Sequence, residues 1–423
     1  MKIASIDLDD YPSTRRRANW LERFAQKQLL SNLERLETGQ IELLDGDSRR
    51  RFGSVSAASD LQVSISVEDP AFYSDIAFGG SIGSAESFMR GEWRCTDLQA
   101  LIRILLKNRH VLEGLDSGSA VLKKQARKGL NWINRNSRKG SRRNIAAHYD
   151  LGNEFYRLWL DDTMMYSAAF YETPDTPLKD ASIAKLDRIC KRLDLQPQDH
   201  VMEIGTGWGG FALHAAGQYG CKVTTTTISR EQFDLATQRV RDAGLADRVE
   251  VLCKDYRDLD GRYDKLVSIE MIEAVGHEFH EQYFGKCAEL LKPGGEMLLQ
   301  AITIDDGRYE SYKKNVDFIK RYIFPGGCLT SITAMADTMT RATDLRIFNC
   351  EDLGAHYART LRHWHDRFFE CVDEVRSLGF SSSFVRMWQF YLCYCEAAFR
   401  ERAISDVQLH LVKPDARPVE FGL

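Results

Sequence analysis

A glycine-rich turn is the part of this 423-residue sequence whose residue types and spacing most clearly suggest chemistry. The segment 201–211 reads VMEIGTGWGGF, with Glu203 in the apolar run and glycines at 205, 207, 209 and 210. A strand that enters a helix through such a turn lets the backbone approach a ligand closely. It also directs free N–H groups and the positive end of the helix dipole at that ligand.

Two classes of cofactor fit this turn. Gly205, Gly207 and Gly210 match the dinucleotide fingerprint, and they also match the looser turn of methyltransferases that use S-adenosylmethionine (SAM). A dinucleotide site requires an acid about 20 residues later, at the end of the next strand. The predicted strand 221–229 ends in threonines, and the next acid, Glu231, falls in the following helix. SAM is therefore favoured, with a dinucleotide and a turn that binds nothing as alternatives.

Bulk composition is typical of a soluble globular protein, because 43% of the residues are hydrophobic, 28% are charged and the net charge is −4. No run of about 18 apolar residues occurs, so we expect no transmembrane helix. The N-terminal segment lacks the apolar stretch of a secretory signal, and the ten cysteines show no zinc-type pairing. We therefore expect a cytoplasmic protein with reduced thiols and no metal site.

The strongest break in composition separates two predicted domains, a small N-terminal α+β domain (1–120) and a catalytic domain (146–423). In the basic linker between them (121–145), residues 121–144 hold nine Lys or Arg and no acid. A solvated connection fits this composition, and so does a surface for anionic phospholipid headgroups, where each cation adds about 1 kcal/mol. We do not expect nucleic acid to bind there, because repeated aromatic residues for base stacking are missing.

Strands and helices alternate through the catalytic domain. The pattern predicts strands at 200–204, 222–227, 249–252, 265–269 and 296–303, with helices at 185–193, 210–218, 230–243 and 279–291. Such alternation implies an α/β fold with a parallel sheet and helices on both faces. Ligands bind at the carboxyl ends of these strands, where the glycine turn, Asp255, Glu270 and Glu273 all lie. In the N-terminal domain we predict helices at 19–36 and 97–108 and strands at 41–44 and 61–67.

Nine sequence blocks resemble the cyclopropane-fatty-acyl-phospholipid synthases, a SAM-dependent family related to the mycolic acid cyclopropane synthases. In chain order they are GSAESFMRGEW, HYDLGNEFYRLWLDDTMMYS, MEIGTGWGG, VTTTTISREQ, KDYRDL, SIEMIEAVG, KPGG, RYIFPGGCL and AAFRER. The resemblance implies addition of a methylene group across a cis double bond of a membrane lipid acyl chain. It also implies a seven-stranded doubly wound SAM-methyltransferase sheet with lid helices that hold the acyl chain.

The resemblance also assigns cofactor contacts to matching residues. The first group surrounds the methionine portion of SAM or its carboxylate: Tyr166, Ser167, Glu203, Gly205, Gly207 and Gly209. The second group lies near the ribose and adenine: Thr227, Ile228, Gln232 and Asp255.

The implied reaction requires few protein groups. The alkene must lie close to the sulfonium methyl group, away from water. Methyl transfer leaves a carbocation, which aromatic ring faces stabilise, and a base then removes a proton from the new methyl group. The family is held to use a bound bicarbonate as this base. The matching bicarbonate ligands are Glu273, Gln300, Tyr357 and the backbone at Ala168 and Ile302.

Two of these positions depart from the family pattern, because Gln300 replaces a histidine and Ala168 replaces a cysteine. A glutamine amide can still donate a hydrogen bond to an anion. Cyclopropane synthesis is the first hypothesis, and a methyl-branched unsaturated product and a non-catalytic SAM- or lipid-binding protein are the alternatives. For the enzyme we expect an unsaturated phospholipid substrate, peripheral association with anionic headgroups at the inner membrane face, and a homodimer as one option.

Overall fold

The computed structural model describes residues 16–56, 59–111, 140–141, 144 and 151–418. The chain divides into two units, one formed by 1–129 with 368–403 and the other by 130–367 with 404–423. Most of the basic linker 121–145 lies outside the described residues. The segment 368–403, which the sequence placed in the catalytic domain, belongs instead to the unit that contains the N-terminal residues.

The first unit combines a small sheet with helices. Its elements are α1 (Trp20–Leu33), β1 (Gly39–Asp45), β2 (Ser48–Ser54), β3 (Gln62–Val67), α2 (Ala71–Arg90), β4 (Trp93–Cys95) and α3 (Leu98–Lys107). The strands follow the order β2-β1-β3-β4. β2 was not predicted from the sequence. Its arginines face solvent and Phe52 is its buried residue, so the segment shows no alternation of apolar and polar residues.

The second unit is built around a seven-stranded sheet with the order β10-β11-β9-β8-β5-β6-β7. Its strands are β5 (His200–Ile204), β6 (Lys222–Thr226), β7 (Val249–Leu252), β8 (Tyr263–Ile269), β9 (Leu291–Ile304), β10 (Arg346–Asp352) and β11 (Ile404–Val412). The first five pair in parallel, and β10 and β11 add an antiparallel edge. The predicted doubly wound α/β architecture is confirmed.

Helices cover both faces of this sheet. They are α4 (Asn153–Trp159), α5 (Leu178–Arg192), α6 (Gly210–His214), α7 (Arg230–Asp242), α8 (His280–Leu290), α9 (Asp306–Lys314), α10 (Ile332–Ala342) and α11 (Gly354–Glu370). Consecutive residues of β5 point to opposite faces. Val201 packs in one apolar cluster with Phe211, whereas Met202 packs in another with Phe284. This double cover explains why the parallel strands are buried along most of their length.

The late aromatic residues pack within the first unit. Helices α12 (Val372–Ser377) and α13 (Ser382–Arg400) belong to it, and α13 packs against α2 and α3. The ring centroids of Phe390 and Phe88 lie 5.9 Å apart. The aromatic residues of α13 therefore contribute to that unit's own core. No helix within the described ranges combines the length and apolarity required to cross a bilayer.

Candidate active site

The glycine turn lies at the carboxyl end of β5. The backbone N–H groups of Gly205 and Thr206 donate to the carbonyl of Thr226, at 3.1 and 3.0 Å, and so tie the turn to β6. Gly207 has a φ of 51°, which side-chain-bearing residues rarely adopt. A Cβ atom placed on Gly207 would meet no atom within 4 Å, so the turn leaves free space where a ligand can approach the backbone.

Polar side chains predicted to contact the cofactor lie at and after the ends of β5 and β6. Glu203 is buried at the end of β5, where the hydroxyl of Thr225 donates to its Oε2 at 2.6 Å. Burial raises the pKa of Glu203 to about 8. After β6, the hydroxyl of Thr227 donates to Oε1 of Gln232 at 2.8 Å. Ile228, the next residue in the chain, is partly buried.

Asp255 follows β7 at the same edge of the sheet and is engaged by a neighbouring cation. Its carboxylate accepts hydrogen bonds from Nε and Nη2 of Arg257, at 2.8 and 2.6 Å. The structure therefore pairs this acid with a buried guanidinium, and its position beside the adenine stays a prediction.

Glu270 occupies the centre of the site, directly after β8. Its Oε1 accepts hydrogen bonds from the backbone N–H of Ala168 and from Nε2 of Gln300, both at 2.8 Å. Its Oε2 accepts a hydrogen bond from the hydroxyl of Tyr357 at 2.7 Å. These donors are three of the groups that the resemblance assigned to bicarbonate. The residues present therefore do not fit a bound bicarbonate, because a carboxylate of the protein already receives their hydrogen bonds.

Glu273 lies beside this carboxylate and takes the remaining backbone donor. The N–H of Ile302 donates to Oε1 of Glu273. The second oxygen, Oε2, is buried and has no hydrogen-bond partner among the described residues. Burial, with a contribution from the charge of Glu270, raises the pKa of Glu273 to about 8. Glu273 therefore offers an unused oxygen to a ligand.

Residues 136–409 match the sequence profile described as mycolic acid cyclopropane synthetase. The chain belongs to this family. It is 40% identical over 352 residues to the tuberculostearic acid methyltransferase UfaA1 of Mycobacterium tuberculosis, which covers 79% of each chain. It is 36% identical over 376 residues to the cyclopropane-fatty-acyl-phospholipid synthase of Escherichia coli K12, covering 87% of this chain and 90% of the relative.

A solved structure of the same family also matches. It is the crystal structure of the mycolic acid cyclopropane synthase CmaA1 complexed with SAH and CTAB. The TM-score is 0.60 and the sequence identity is 31%. The match covers 64% of this chain and 98% of that one. The present chain is therefore a SAM-dependent enzyme with the methyltransferase fold, as predicted from its sequence.

A buried lysine and a buried aspartate complete the polar network, and the sequence analysis missed both. Lys185, on α5, is fully buried and its Nζ donates to the hydroxyl of Ser167 at 2.8 Å. Asp406, on β11, accepts a hydrogen bond from Nε2 of Gln300 at 2.9 Å. Burial lowers the pKa of Lys185 to about 8, although the charges of Glu270 and Asp406 oppose that shift. The ammonium group of Lys185 thus faces four carboxyl groups, those of Glu270, Asp406, Asp161 and Glu203.

Aromatic side chains adjoin the carboxylates. The ring of Tyr166 lies 5.2 Å from that of Trp364 and 6.2 Å from that of Phe324 between centroids. Tyr357, which donates to Glu270, lies 6.0 Å from Trp364. This aromatic cluster adjoins Glu270 through the hydroxyl of Tyr357, and the faces of such rings attract cations. Within the described ranges, no group of His, Cys, Asp and Glu has an arrangement that could hold a metal ion.

Substitution of Gly207 by alanine separates cofactor binding from folding. The left-handed φ costs an alanine about 1–2 kcal/mol, but no neighbouring atom is displaced. We therefore expect Gly207→Ala to fold with a slightly lower melting temperature and to bind SAM at least about tenfold more weakly in calorimetry.

Gly244→Ala is the matched control, because Gly244 also has a positive φ of 67° and open space around its Cβ position. It lies after α7, outside the site. We expect the same loss of stability without a loss of SAM affinity. Equal SAM affinities in the two variants would contradict the prediction that SAM occupies the open space beside Gly207.

Proposed function

We propose that this enzyme transfers a methyl group from SAM to a double-bond carbon of an unsaturated phospholipid acyl chain, and that Glu270 accepts the proton that is lost. The carboxylate of Glu270, held by three donors next to an aromatic cluster, is the observation that carries the proposal. The family membership supports the donor and the lipid class of the substrate.

The cofactor would be held by the glycine turn and its surroundings. The open space at Gly207 would receive it, and Tyr166 and Ser167 would adjoin it. The remaining residues that we assign to this contact are Glu203, Gly205, Gly209, Thr227, Ile228, Gln232 and Asp255. When bound, SAM supplies an electrophilic methyl group.

The aromatic cluster would stabilise the positive charge that develops on the acyl chain. The alkene would use its electron pair to bond the methyl carbon while the methyl–sulfur bond breaks and leaves its electron pair on sulfur, so the other alkene carbon would become cationic. The faces of Tyr166 and Trp364 attract that charge, and their apolar surface keeps water from adding to it.

Glu270 then completes the reaction as a general base. Its three hydrogen bonds orient both oxygens, and they favour the ionised form that can take a proton. Loss of the proton leaves an electron pair that either closes a cyclopropane ring or forms a new double bond. In both cases one carbon and two hydrogens are gained by the chain, and one proton passes through Glu270 to solvent.

A methyl-branched unsaturated chain is the product that we propose first. The predicted bicarbonate ligands are engaged by Glu270, so the base differs from the one that the family is held to use for ring closure. The 40% identical relative is named a tuberculostearic acid methyltransferase, which also supports a methylated product. Cyclopropane is the second candidate, supported by the retained Glu273 and Tyr357 and by the Escherichia coli relative.

The proposal also includes the location of the reaction. A phospholipid substrate requires contact with a membrane, so we propose peripheral association of a cytoplasmic enzyme with anionic headgroups of the inner face. The nine cations of residues 121–144 support this assignment. A homodimer remains part of the proposal and is tested by light scattering.

Fatty acid analysis tests the proposed function. We expect expression in a bacterial host that contains monounsaturated lipids, but has no related enzyme of its own, to yield acyl chains that have gained one CH2 unit in mass spectrometry. Mild hydrogenation distinguishes the products, because a methylated alkene takes up hydrogen and a cyclopropane does not. Unchanged acyl chains in cells that contain the folded enzyme and SAM would refute the proposal.

A further inference from the structure

Helix α1 exposes an aromatic pair that the described residues of the first unit do not cover. Trp20 is 73% exposed and Phe24 is 51% exposed, and one helical turn separates them. Leu21 beside them is 37% exposed. The opposite side of α1 supplies the unit's core through Ala25, Leu29, Leu30 and Leu33. Single exposed apolar residues are ordinary, whereas adjacent exposed aromatic residues on one face suggest a partner.

Cations share this face, which we call the Trp20 face (Trp20, Leu21, Arg23, Phe24 and Lys27). Arg23 and Lys27 are exposed, and no exposed acid lies between Trp20 and Ser31. The one acid in that part of α1, Glu22, is buried and accepts hydrogen bonds from Arg16. The face therefore presents aromatic rings and positive charge together, which is the composition of helices that lie in a membrane interface.

The positive charge of the Trp20 face favours a bilayer over a second protein molecule as its partner. Lysine is depleted in protein–protein interfaces, whereas Lys and Arg are attracted to the negative surface of a membrane. A 14-residue helix is too short to span a bilayer but can lie along its surface.

We propose that the Trp20 face docks on a bilayer that contains anionic phospholipid, with the rings of Trp20 and Phe24 inserted at the level of the headgroups. The role that we give to this docking rests on the proposed function, because docking brings the enzyme to its lipid substrate. Docking itself requires neither SAM nor turnover, so it is measured separately.

Tryptophan fluorescence provides a direct test with the full-length protein. Among the described tryptophans, Trp93, Trp159, Trp208, Trp364 and Trp388 are buried. Trp132 lies outside the described residues, so every variant also carries Trp132→Phe. With vesicles of phosphatidylcholine and phosphatidylglycerol, we expect a blue shift of the emission and quenching by brominated acyl chains. Both signals should disappear in Trp20→Phe.

Vesicle sedimentation measures the contribution of the face to affinity. We expect Trp20→Ala with Phe24→Ala to weaken binding by about tenfold or more. Arg23→Gln with Lys27→Gln should reduce the dependence of binding on the phosphatidylglycerol fraction and on salt. Phe348→Ala is the control, because Phe348 is 45% exposed on β10 and should not contribute.

Several outcomes would overturn the proposal. Undiminished vesicle binding by the Trp20 and Phe24 double variant would do so, as would the absence of a spectral shift in the Trp132→Phe protein that retains Trp20. A dimer that becomes monomeric in that double variant, with vesicle binding unchanged, would assign the face to a second copy of the chain. Docking without any lipid product would refute the proposed function and leave the docking surface supported.

Discussion

Glu270→Gln should reduce lipid alkylation by about 10²–10⁴-fold, because glutamine keeps the size of the side chain but cannot accept the proton. SAM affinity should change little, since the substitution leaves the glycine turn intact. The measurement is single-turnover formation of the modified acyl chain in mixed vesicles, together with calorimetric SAM binding. Asp260→Asn serves as the control, because Asp260 is an exposed acid outside the network. Normal turnover by Glu270→Gln would refute the assignment of the base.

Glu270→Gly provides the complementary test. Glu270 adopts a φ of 49°, a conformation that glycine accepts without strain. The variant should fold and leave the N–H of Ala168, the amide of Gln300 and the hydroxyl of Tyr357 around a gap of carboxylate size. We expect it to be inactive alone and to recover activity when bicarbonate is added. The wild type should not respond to bicarbonate, and a bicarbonate requirement in the wild type would contradict the proposal.

The pH dependence of the wild type follows from the same carboxylate. Burial raises the pKa of Glu270 above the ordinary value, although its hydrogen bonds oppose the shift. A base must be ionised, so the single-turnover rate should fall as pH decreases through this raised pKa. The acid limb should therefore lie at higher pH than an exposed carboxyl group would give. If the fall in rate at acid pH is absent in Glu270→Gly with saturating bicarbonate, the fall in the wild type is assigned to the protonation of Glu270.

The scaffold of the site was predictable from sequence because its signals are local. The apolar strand before Gly205, the glycines themselves and the alternation of strands and helices all occur within short windows. The polar network was less predictable, because its donors come from Ala168, Gln300 and Tyr357, which are distant in the chain. Glu270 was recognised as an acid at a strand end, but its positive φ and its three partners arise only when these segments meet.

Two further members of the network resemble ordinary surface residues in the sequence. Lys185 sits in a helix with many charged neighbours, and nothing local indicates that its face is buried. Asp406 alternates with Val407 and Leu409 in β11, which reads as a strand with one solvent-exposed face. Because helices cover both faces of the sheet, that polar side is buried as well. The position of 368–403 in the first unit likewise depends on long-range packing that no local pattern encodes.

Lys185→Met should lower the free energy of unfolding by about 3–5 kcal/mol, because it removes one partner from a buried charge network. The ammonium group donates to Ser167 and faces the charges of Glu203, Glu270 and Asp406. Methionine has a similar length but leaves those carboxyl groups without a cation. Urea unfolding followed by circular dichroism measures the loss. Lys191→Met on the same helix is the control, because its exposed ion pair with Asp187 contributes only about 0.3–0.5 kcal/mol.

The pH dependence of this loss identifies its electrostatic origin. The pKa of Glu203 is about 8 in the folded protein, against an ordinary value of 4.5, and burial also raises the pKa of Asp406. Such groups stabilise the fold fully at pH values below the unfolded pKa, and this contribution is lost as pH rises through the folded pKa. Without the ammonium group the carboxyl groups ionise less readily. The deficit of Lys185→Met should therefore be smaller near pH 5 than near pH 8, whereas a cavity alone would produce the same deficit at both values.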